Sequence, residues 1–225
     1  MADRDVRPEA RWLYEKLGET AVASLKRRGI DAWYVATRDE ARSMILGMIP
    51  EGASIGLGDS VTVEQLDVLP VLRSGNYRLF DRYRPHISPP EVKEKDDGLN
   101  KFRALTADIF LSSANGITMD GKLVSVDGVG TRVAPMVFGP KKVILAIGAN
   151  KITHTVEDAL KRIREVAAPM NAKRHHHDLP CAKTGVCSDC HSPMRICHYT
   201  MIVDGVMEQD KGRINVVVIG EVLGF

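Results

Sequence analysis

The chain has 225 residues, of which 27% are charged, and its formal net charge is only +2. This near balance of charge excludes the strongly basic surface on which nucleic-acid binding depends. No apolar run reaches the roughly 20 residues that a membrane-spanning helix needs, and the polar start MADRDVRPEARW lacks the apolar core of a signal peptide. We therefore expect a cytoplasmic protein with no nucleic-acid or membrane partner, folded as a single domain over residues 1–225.

The first elements alternate between helix and strand. A helix is predicted over 9–28, with apolar residues on one face and Gly29 as its C-terminal cap. The segment DAWYVAT (31–37) favours a strand because it is rich in aromatic and β-branched residues. Thr37 and Glu40 then have the spacing of a capping box, which predicts that another helix begins there.

The middle of the chain continues the alternation. ASIGL (53–57) is predicted to be a strand, and the helix after it is expected to be capped by Thr62 together with Gln65. A stretch rich in proline and charge, 81–98, predicts a mobile loop or lid. The apolar segment ADIFLSS (107–113) is predicted to be another buried strand.

The second half completes an α/β pattern. Asp120-Gly121 predicts the turn of a hairpin, and KKVILAIG (141–148) has the continuous apolar character of a buried strand. A capped amphipathic helix is predicted over 155–169, ended by Pro169, and a last strand within 213–225. This alternation predicts a three-layer αβα sandwich with a mostly parallel sheet and helices on both of its faces.

The turn GLGDSVT (56–62) is the first candidate ligand site. Glycines at a strand-to-helix turn let a ligand approach the backbone, and amides and hydroxyls there can bind an anion. The alternative is a tight turn whose hydroxyls only cap the helix. Neither the dinucleotide fingerprint nor the P-loop lysine is present. The candidate ligand-binding residues are Gly56, Gly58, Asp59, Ser60 and Thr62.

A second candidate site lies within residues 113–142, where polar residues and glycines follow a predicted strand. Arg132, at the predicted start of a helix, could hold a carboxylate or phosphate through two parallel hydrogen bonds. The alternatives are a surface salt bridge for the arginine and ordinary turn chemistry for the glycines. The candidate residues are Asn115, Asp120, Asp127, Gly128, Gly130 and Arg132.

All four cysteines of the chain fall in one segment, 180–197. The two-residue gap between Cys187 and Cys190 is the spacing with which two thiolates bind one ion. Four thiolates suit either tetrahedral zinc or an iron–sulfur cluster, and nearby basic side chains are expected to lower the pKa of the thiols. Free thiols and a reversible disulfide are the alternatives. The candidate metal ligands are Cys181, Cys187, Cys190 and Cys197.

The run of three histidines at 175–177 is a weaker metal candidate. Consecutive histidines seldom face one ion from an ordered backbone. The run also lies in a polar link between the predicted helix and the cysteine segment. We therefore expect it to be a solvated loop.

The stretch SANGITMDGKLVSVDGVGTRVAPMVFGPKKVILAIGANKI, together with GLGDSVT, resembles the LUD (lactate-utilisation) domain family from about residue 10 to the C-terminus. The resemblance implies the fold shared by ribose-phosphate isomerase, glucosamine-phosphate deaminase and CoA transferases. In those enzymes the ligand lies over strand ends, which here correspond to 56–62 and 115–132. The isomerases use an aspartate where this chain has Asn115, and an amide cannot transfer protons.

The same resemblance implies a role in the metabolism of lactate or a related small organic acid, beside iron–sulfur oxidoreductase partner proteins. The helix 9–28 and the cysteine segment 180–197 are additions, and the cysteine segment indicates a distinct subgroup. Two hypotheses follow. In one, the chain is an enzyme or enzyme subunit that binds a small anionic organic acid or a phosphorylated or CoA-like ligand. In the other, it is a non-catalytic accessory protein whose cysteines hold an iron–sulfur cluster or zinc. The sequence does not decide whether the chain is catalytic or whether it forms a homodimer.

Overall fold

The computed structural model describes residues 8–81 and 99–225. The predicted loop or lid at 81–98 lies, apart from Asp81, outside the described residues. In chain order the elements are α1 (Pro8–Arg27), β1 (Asp31–Val35), α2 (Arg38–Gly47), β2 (Ser54–Leu57), α3 (Val61–Gln65), α4 (Val68–Ser74), β3 (Arg78–Phe80), α5 (99–104), β4 (Ile109–Ser112), β5 (Gly116–Thr118), β6 (Leu123–Asp127), α6 (Val133–Val137), β7 (Lys142–Gly148), β8 (Ile152–Thr153), α7 (Val156–Arg162), α8 (Ala168–Arg174), α9 (Pro180–Thr184), β9 (Tyr199–Val203) and β10 (Ile214–Ile219).

The main sheet has six strands in the order β1-β10-β7-β4-β2-β3. Every neighbouring pair in it is parallel. Because parallel strands run the same way, their carboxyl ends meet at one edge of the sheet. The sheet confirms the predicted parallel arrangement, and its central strand β7 is the apolar segment at 141–148.

Helices cover both faces of this sheet, so that the chain forms the expected αβα sandwich. Side chains of β7 alternate between the two cores: Ile144 packs with α2, α3 and α4, and Leu145 packs on the opposite face with α1 and α6. A strand buried on both faces carries apolar residues without interruption, which is the pattern seen in KKVILAIG. The kinship with the ribose-phosphate isomerase and CoA-transferase fold stays a prediction.

A second sheet, in the order β8-β5-β6-β9, packs beside α7. The predicted hairpin forms its centre, with β5 and β6 antiparallel and Gly121 at a φ of +88° in the turn. Strand β9 was not predicted from the sequence. Its side chains are mostly exposed or half-buried, so it lacks the apolar pattern by which a strand is recognised.

Two of the predicted helix caps are confirmed and one is wrong. Thr37 accepts a hydrogen bond from the backbone N–H of Glu40 in a full capping box, and Gly29 ends α1 at a φ of +77°. The predicted cap at Thr62 is wrong, because the side chain of Ser60 caps α3 by accepting from the N–H of Val63. Thr62 instead lies inside α3 and is fully buried.

The predicted end of a helix at Pro169 is also wrong. Helical residues continue from α7 through a π-helical turn, Ile163–Ala167, into α8, which ends only at Arg174. A proline in an α-helix clashes with the carbonyl four residues earlier and cannot donate a hydrogen bond. Here Pro169 follows directly on the wider π turn, at the start of α8, where the missing N–H is tolerated.

None of the helices in residues 8–81 and 99–225 combines the length and the apolarity that crossing a bilayer requires.

Gly56 lies in β2 at a close approach to α5. A Cβ at this position would fall 2.7 Å from the Cα of Ala104, which is backbone and cannot turn aside. We expect Gly56→Ala to lower the free energy of unfolding by roughly 1–3 kcal/mol through overpacking. The matched control is Gly47→Ala in α2, where a Cβ meets nothing within 4 Å; it should raise stability by roughly 0.5–1 kcal/mol. Urea denaturation of both variants measures the contrast, and equal effects would contradict this packing.

Candidate ligand-binding site

Three neighbouring strands of the main sheet, β7, β4 and β2, end at the same edge, and each is followed by a residue of one buried cluster. Lys151 follows β7 in a short 3₁₀ turn, Ser113 follows β4, and Thr62 lies in α3 just beyond β2. The Lys151 Nζ donates to Thr62 Oγ1 at 2.8 Å and to Ser113 Oγ at 3.1 Å. The cluster therefore joins the carboxyl ends of three central strands.

The lysine of this cluster is buried without a counter-ion. Lys151 is 3% exposed, and no carboxylate of residues 8–81 or 99–225 forms an ion pair with it. Burial lowers the pKa of Lys151 to about 7, and the positive charges of Arg162 and Arg132 act in the same direction. A buried ammonium with only hydroxyl partners is unfavourable, since each charge removed from water needs compensation.

Lys151 lines a cleft of about 70 Å³ at this edge of the sheet. The cleft is lined by the turn after β2, the ends of β4 and β6, the π turn, α8 and the cysteine segment. A shallower depression of about 370 Å³ adjoins it and shares several of its residues. Predicted residues that line the cleft are Asp59, Ser60, Asn115 and Arg132; Asp127 and Gly128 line the depression.

Arg132 lies just before α6, and protein oxygens surround its guanidinium. Its two terminal nitrogens donate to the carbonyl oxygens of Ser113 at 3.1 Å and Val126 at 2.6 Å, and to Asn115 Oδ1 at 2.8 Å. The Asp127 carboxylate lies 3.6 Å from its Nε. With these donors engaged, Arg132 contributes a positive charge to the cleft rather than the two-pronged grip on a ligand that the sequence suggested.

Asn115 holds this arrangement together. Its side-chain oxygen accepts from the N–H of Val126 at 2.9 Å as well as from Arg132, and its backbone oxygen accepts from Arg162 at 3.0 Å. An amide oxygen can accept two hydrogen bonds without carrying charge. Asn115 therefore orients two arginines beside the cleft, a positioning role.

Asp59 lines the cleft and contacts the end of α8. Its carboxylate accepts from Arg174 at 2.6 Å and from the His175 ring at 2.7 Å. Burial alone would raise the pKa of Asp59, but hydrogen bonds from His175 and Arg174 outweigh it and hold that pKa well below its usual range. The first histidine of 175–177 thus contacts a site residue, which corrects the expectation that the whole run is a solvated loop.

Several predicted residues lie away from the cleft. The missing side chains of Gly56 and Gly58 permit close packing, because a Cβ on Gly58 would fall 2.2 Å from Ser112 Oγ. Asp120 lies in the β5–β6 turn and pairs with Arg28 at 2.9 Å. Gly130, at a φ of +86°, donates its N–H to Asp127 in the loop before α6. The sequence grouped these residues by proximity along the chain, which the folded arrangement does not preserve.

The cysteine segment forms part of the cleft wall, through Ile196 and Cys197. Arg195 ties the segment together by donating to the backbone oxygens of Cys190 at 2.7 Å and Cys197 at 3.2 Å. All four thiols are free and half-buried. Among the described residues, no group of three or more potential ligands is arranged to hold a metal ion.

The thiols influence one another. Burial raises the pKa of Cys181, and the charges of Cys190, Cys187 and Cys197 raise it further. Burial also raises the pKa of Cys197 and outweighs the opposing effect of Arg195. Arg195 has the lowering effect that was expected of basic residues on the pKa of Cys197, but burial makes the net shift upward for both thiols.

Sequence reasoning missed Lys151, Arg174 and His175 as site residues. A lysine three residues beyond the most apolar strand was the available indication, because ligands bind at the carboxyl ends of parallel strands. Arg174 gave no such indication, since a helix expected to end at Pro169 could not present it, and His175 belongs to the run that was expected to be a solvated loop.

Comparison with known proteins places the chain in a family. The family model of the LUD domain matches residues 18–219, whereas none of the curated proteins matches. Among solved structures, the chain is similar to a DUF162 family protein from Deinococcus radiodurans, with a TM-score of 0.49 and 11% sequence identity over 93% of this chain and 97% of that one. The chain belongs to the LUD-domain family, and this membership points to lactate-utilisation-related function in general.

Proposed function

We propose that the cleft binds a small organic acid of the lactate and pyruvate class and that the protein acts in the metabolism of such an acid. The observation that supports this most directly is Lys151, a buried amine with two hydroxyl partners and no carboxylate partner in the part of the chain that the structure describes. A bound carboxylate would supply the missing negative charge.

The charges around the cleft favour an anion. Arg174 is neutralised by Asp59, and Asp127 lies near Arg132. Within residues 8–81 and 99–225, Arg162 donates only to backbone oxygens, those of Asn150 and Asn115. Lys151 and Arg162 therefore leave an excess of positive charge in a region of low dielectric, where it attracts an anion more strongly than at the surface.

The size of the cleft favours a ligand of few atoms. Sites for drug-sized molecules usually measure about 300–1,000 Å³, whereas the volume beside Lys151 is about 70 Å³. A three-carbon acid suits this volume, and the body of a coenzyme or sugar phosphate would have to extend into the adjoining depression. The size therefore supports a small acid over the phosphorylated or CoA-like ligands.

Replacing the buried amine should weaken ligand binding without destabilising the folded chain. We expect Lys151→Met to weaken the binding of lactate or pyruvate by roughly 30-fold or more, since removing one partner of a buried charge pair costs about 2 kcal/mol or more. The ligand-free protein should be as stable as the wild type or more stable at pH 7. Thr62 and Ser113 keep their hydrogen bonds to the Leu223 and Ala114 carbonyls. Calorimetric titration and thermal melts measure the two effects.

The matched control is Lys141→Met, the same substitution at the opposite edge of the sheet. Lys141 is exposed and pairs only with Asp108 among the described residues, so its loss should leave ligand binding unchanged. Equal affinity of the wild type and Lys151→Met for every acid tested would overturn the proposed site.

The pH dependence of stability gives an independent test of the buried amine. The pKa of Lys151 is about 7 in the folded chain and 10.5 in its ordinary state, so between these values the unfolded chain binds a proton that the folded chain has released. The contribution of Lys151 to stability therefore rises with pH over this window. The unfolding free energy of wild type minus that of Lys151→Met should increase by up to about 1.4 kcal/mol per pH unit. Urea denaturation at pH 7, 8 and 9 measures this difference in unfolding free energy. If the amine were not buried, the difference would be the same at all three pH values.

A second candidate function rests on the cysteine segment. Arg195 draws Cys190 and Cys197 together, and all four thiols interact electrostatically. We propose that they bind zinc or an iron–sulfur cluster in an accessory protein that transfers electrons, senses redox state or assembles a complex. A cation would relieve the repulsion between thiolates, although the segment would have to bring its ligands closer together.

Metal analysis of protein purified without oxygen tests this second function. We expect stoichiometric zinc, or iron with acid-labile sulfide and broad visible absorbance, in the wild type. Cys187→Ser should lose most of the metal, because a thiolate ligand is replaced by a weakly binding hydroxyl. Ser188→Ala, at the exposed neighbouring position, is the control and should retain it. Metal-free wild-type protein with four titratable thiols would contradict the assignment.

A further inference from the structure

The Lys151 amine has a hydrogen-bonding arrangement that leaves one position of its nitrogen open. The Thr62 hydroxyl lies 3.3 Å from the Leu223 carbonyl oxygen, and the Ser113 hydroxyl lies 3.1 Å from the Ala114 carbonyl oxygen, so each has a carbonyl to which it can donate. In that arrangement both hydroxyls accept from Nζ, at 2.8 and 3.1 Å. Among the described residues Nζ has no third partner.

This arrangement suits a neutral amine. A tetrahedral amine nitrogen carries two N–H groups, which the two hydroxyls accept, and one lone pair, which occupies the remaining position. An ammonium in the same place would have a third N–H without a protein acceptor in the described part of the chain. The positive charges of Arg162 and Arg132 nearby also disfavour the ammonium form. A buried amine kept partly neutral is a nucleophile near neutral pH.

We propose that Lys151 forms an imine with the carbonyl carbon of a small 2-oxo acid bound in the cleft. The inference rests on the proposed function, because it assigns a reaction to the same site and narrows the ligand to the 2-oxo acids. In such an acid the reactive carbonyl is adjacent to the carboxylate, so the positive charges of Arg162 and Arg132 that attract the carboxylate also bring the carbonyl to the neutral amine of Lys151 within a cleft of about 70 Å³.

The covalent step balances without an oxidant or reductant. The nitrogen lone pair attacks carbon 2, the carbonyl π electrons move to its oxygen, and a proton passes from nitrogen to that oxygen to give a carbinolamine. A second proton transfer lets the hydroxyl leave as water while the carbon–nitrogen double bond forms. Thr62 and Ser113, in contact with Nζ, stabilise the N–H groups during attack. A lactate-type hydroxy acid has no carbonyl and would bind without reacting.

Trapping with cyanoborohydride in the presence of pyruvate tests the inference in the full-length chain. Reduction of the imine adds the mass of one pyruvic acid less one oxygen atom, and we expect peptide mapping to place this adduct on Lys151. Yield should rise between pH 6 and pH 8, because a pKa of about 7 makes the neutral amine roughly a tenth of the population at the lower pH and roughly nine tenths at the higher.

Two variants and a ligand without a carbonyl serve as controls for the adduct on Lys151. Lys151→Met should give no adduct beyond the scattered surface background, Lys141→Met should react like the wild type, and lactate should give none. Calorimetry on the same samples distinguishes the two proposals. Binding of pyruvate without an adduct on Lys151 at any pH overturns the inference and leaves the proposed function standing. Absence of binding by every acid overturns both.

Discussion

The candidate site depends on one buried amine for which the described chain supplies no negative partner. Lys151 reaches two hydroxyls that follow neighbouring strands, and this requires β7, β4 and β2 to end at the same level. A charge removed from water is tolerated only when something compensates for it. A protein can retain such a group either as a reactive neutral amine or beside a bound anion. The positive charges of Arg162 and Arg132 favour both states, because they disfavour the ammonium form and attract an anion.

The ligand cleft and the cysteine segment are not independent features. Cys197 and Ile196 form part of the cleft wall, and Arg195 connects the backbone of Cys197 to that of Cys190. A metal or cluster held by the thiols would fix the position of this wall. The two candidate functions, an acid-binding site and a thiol centre, therefore share residues and could operate in one molecule.

The sequence predicted the layers of the fold better than it predicted the site. Alternating helices and apolar strands follow from local periodicity, so the parallel sheet, the hairpin turn at Gly121 and the caps at Thr37 and Gly29 were accessible. The site depends on which strand ends become neighbours, and the order β1-β10-β7-β4-β2-β3 cannot be derived from one chain by local patterns. Asp120 was included because it is near Asn115 in sequence, and Lys151 was missed although it lies between the two predicted segments in space.

The π turn Ile163–Ala167 sets the angular position of the side chains of α8, which follows it directly. Each residue of an α-helix advances about 100° around the axis, and the π turn accommodates one residue more than an α-helical turn of the same rise. Arg174 and His175 meet Asp59 only with that extra residue in place. A homologue shortened by a single residue here would turn both side chains about a quarter of a revolution from Asp59, so an alignment gap at this point would mark relatives with a differently built cleft.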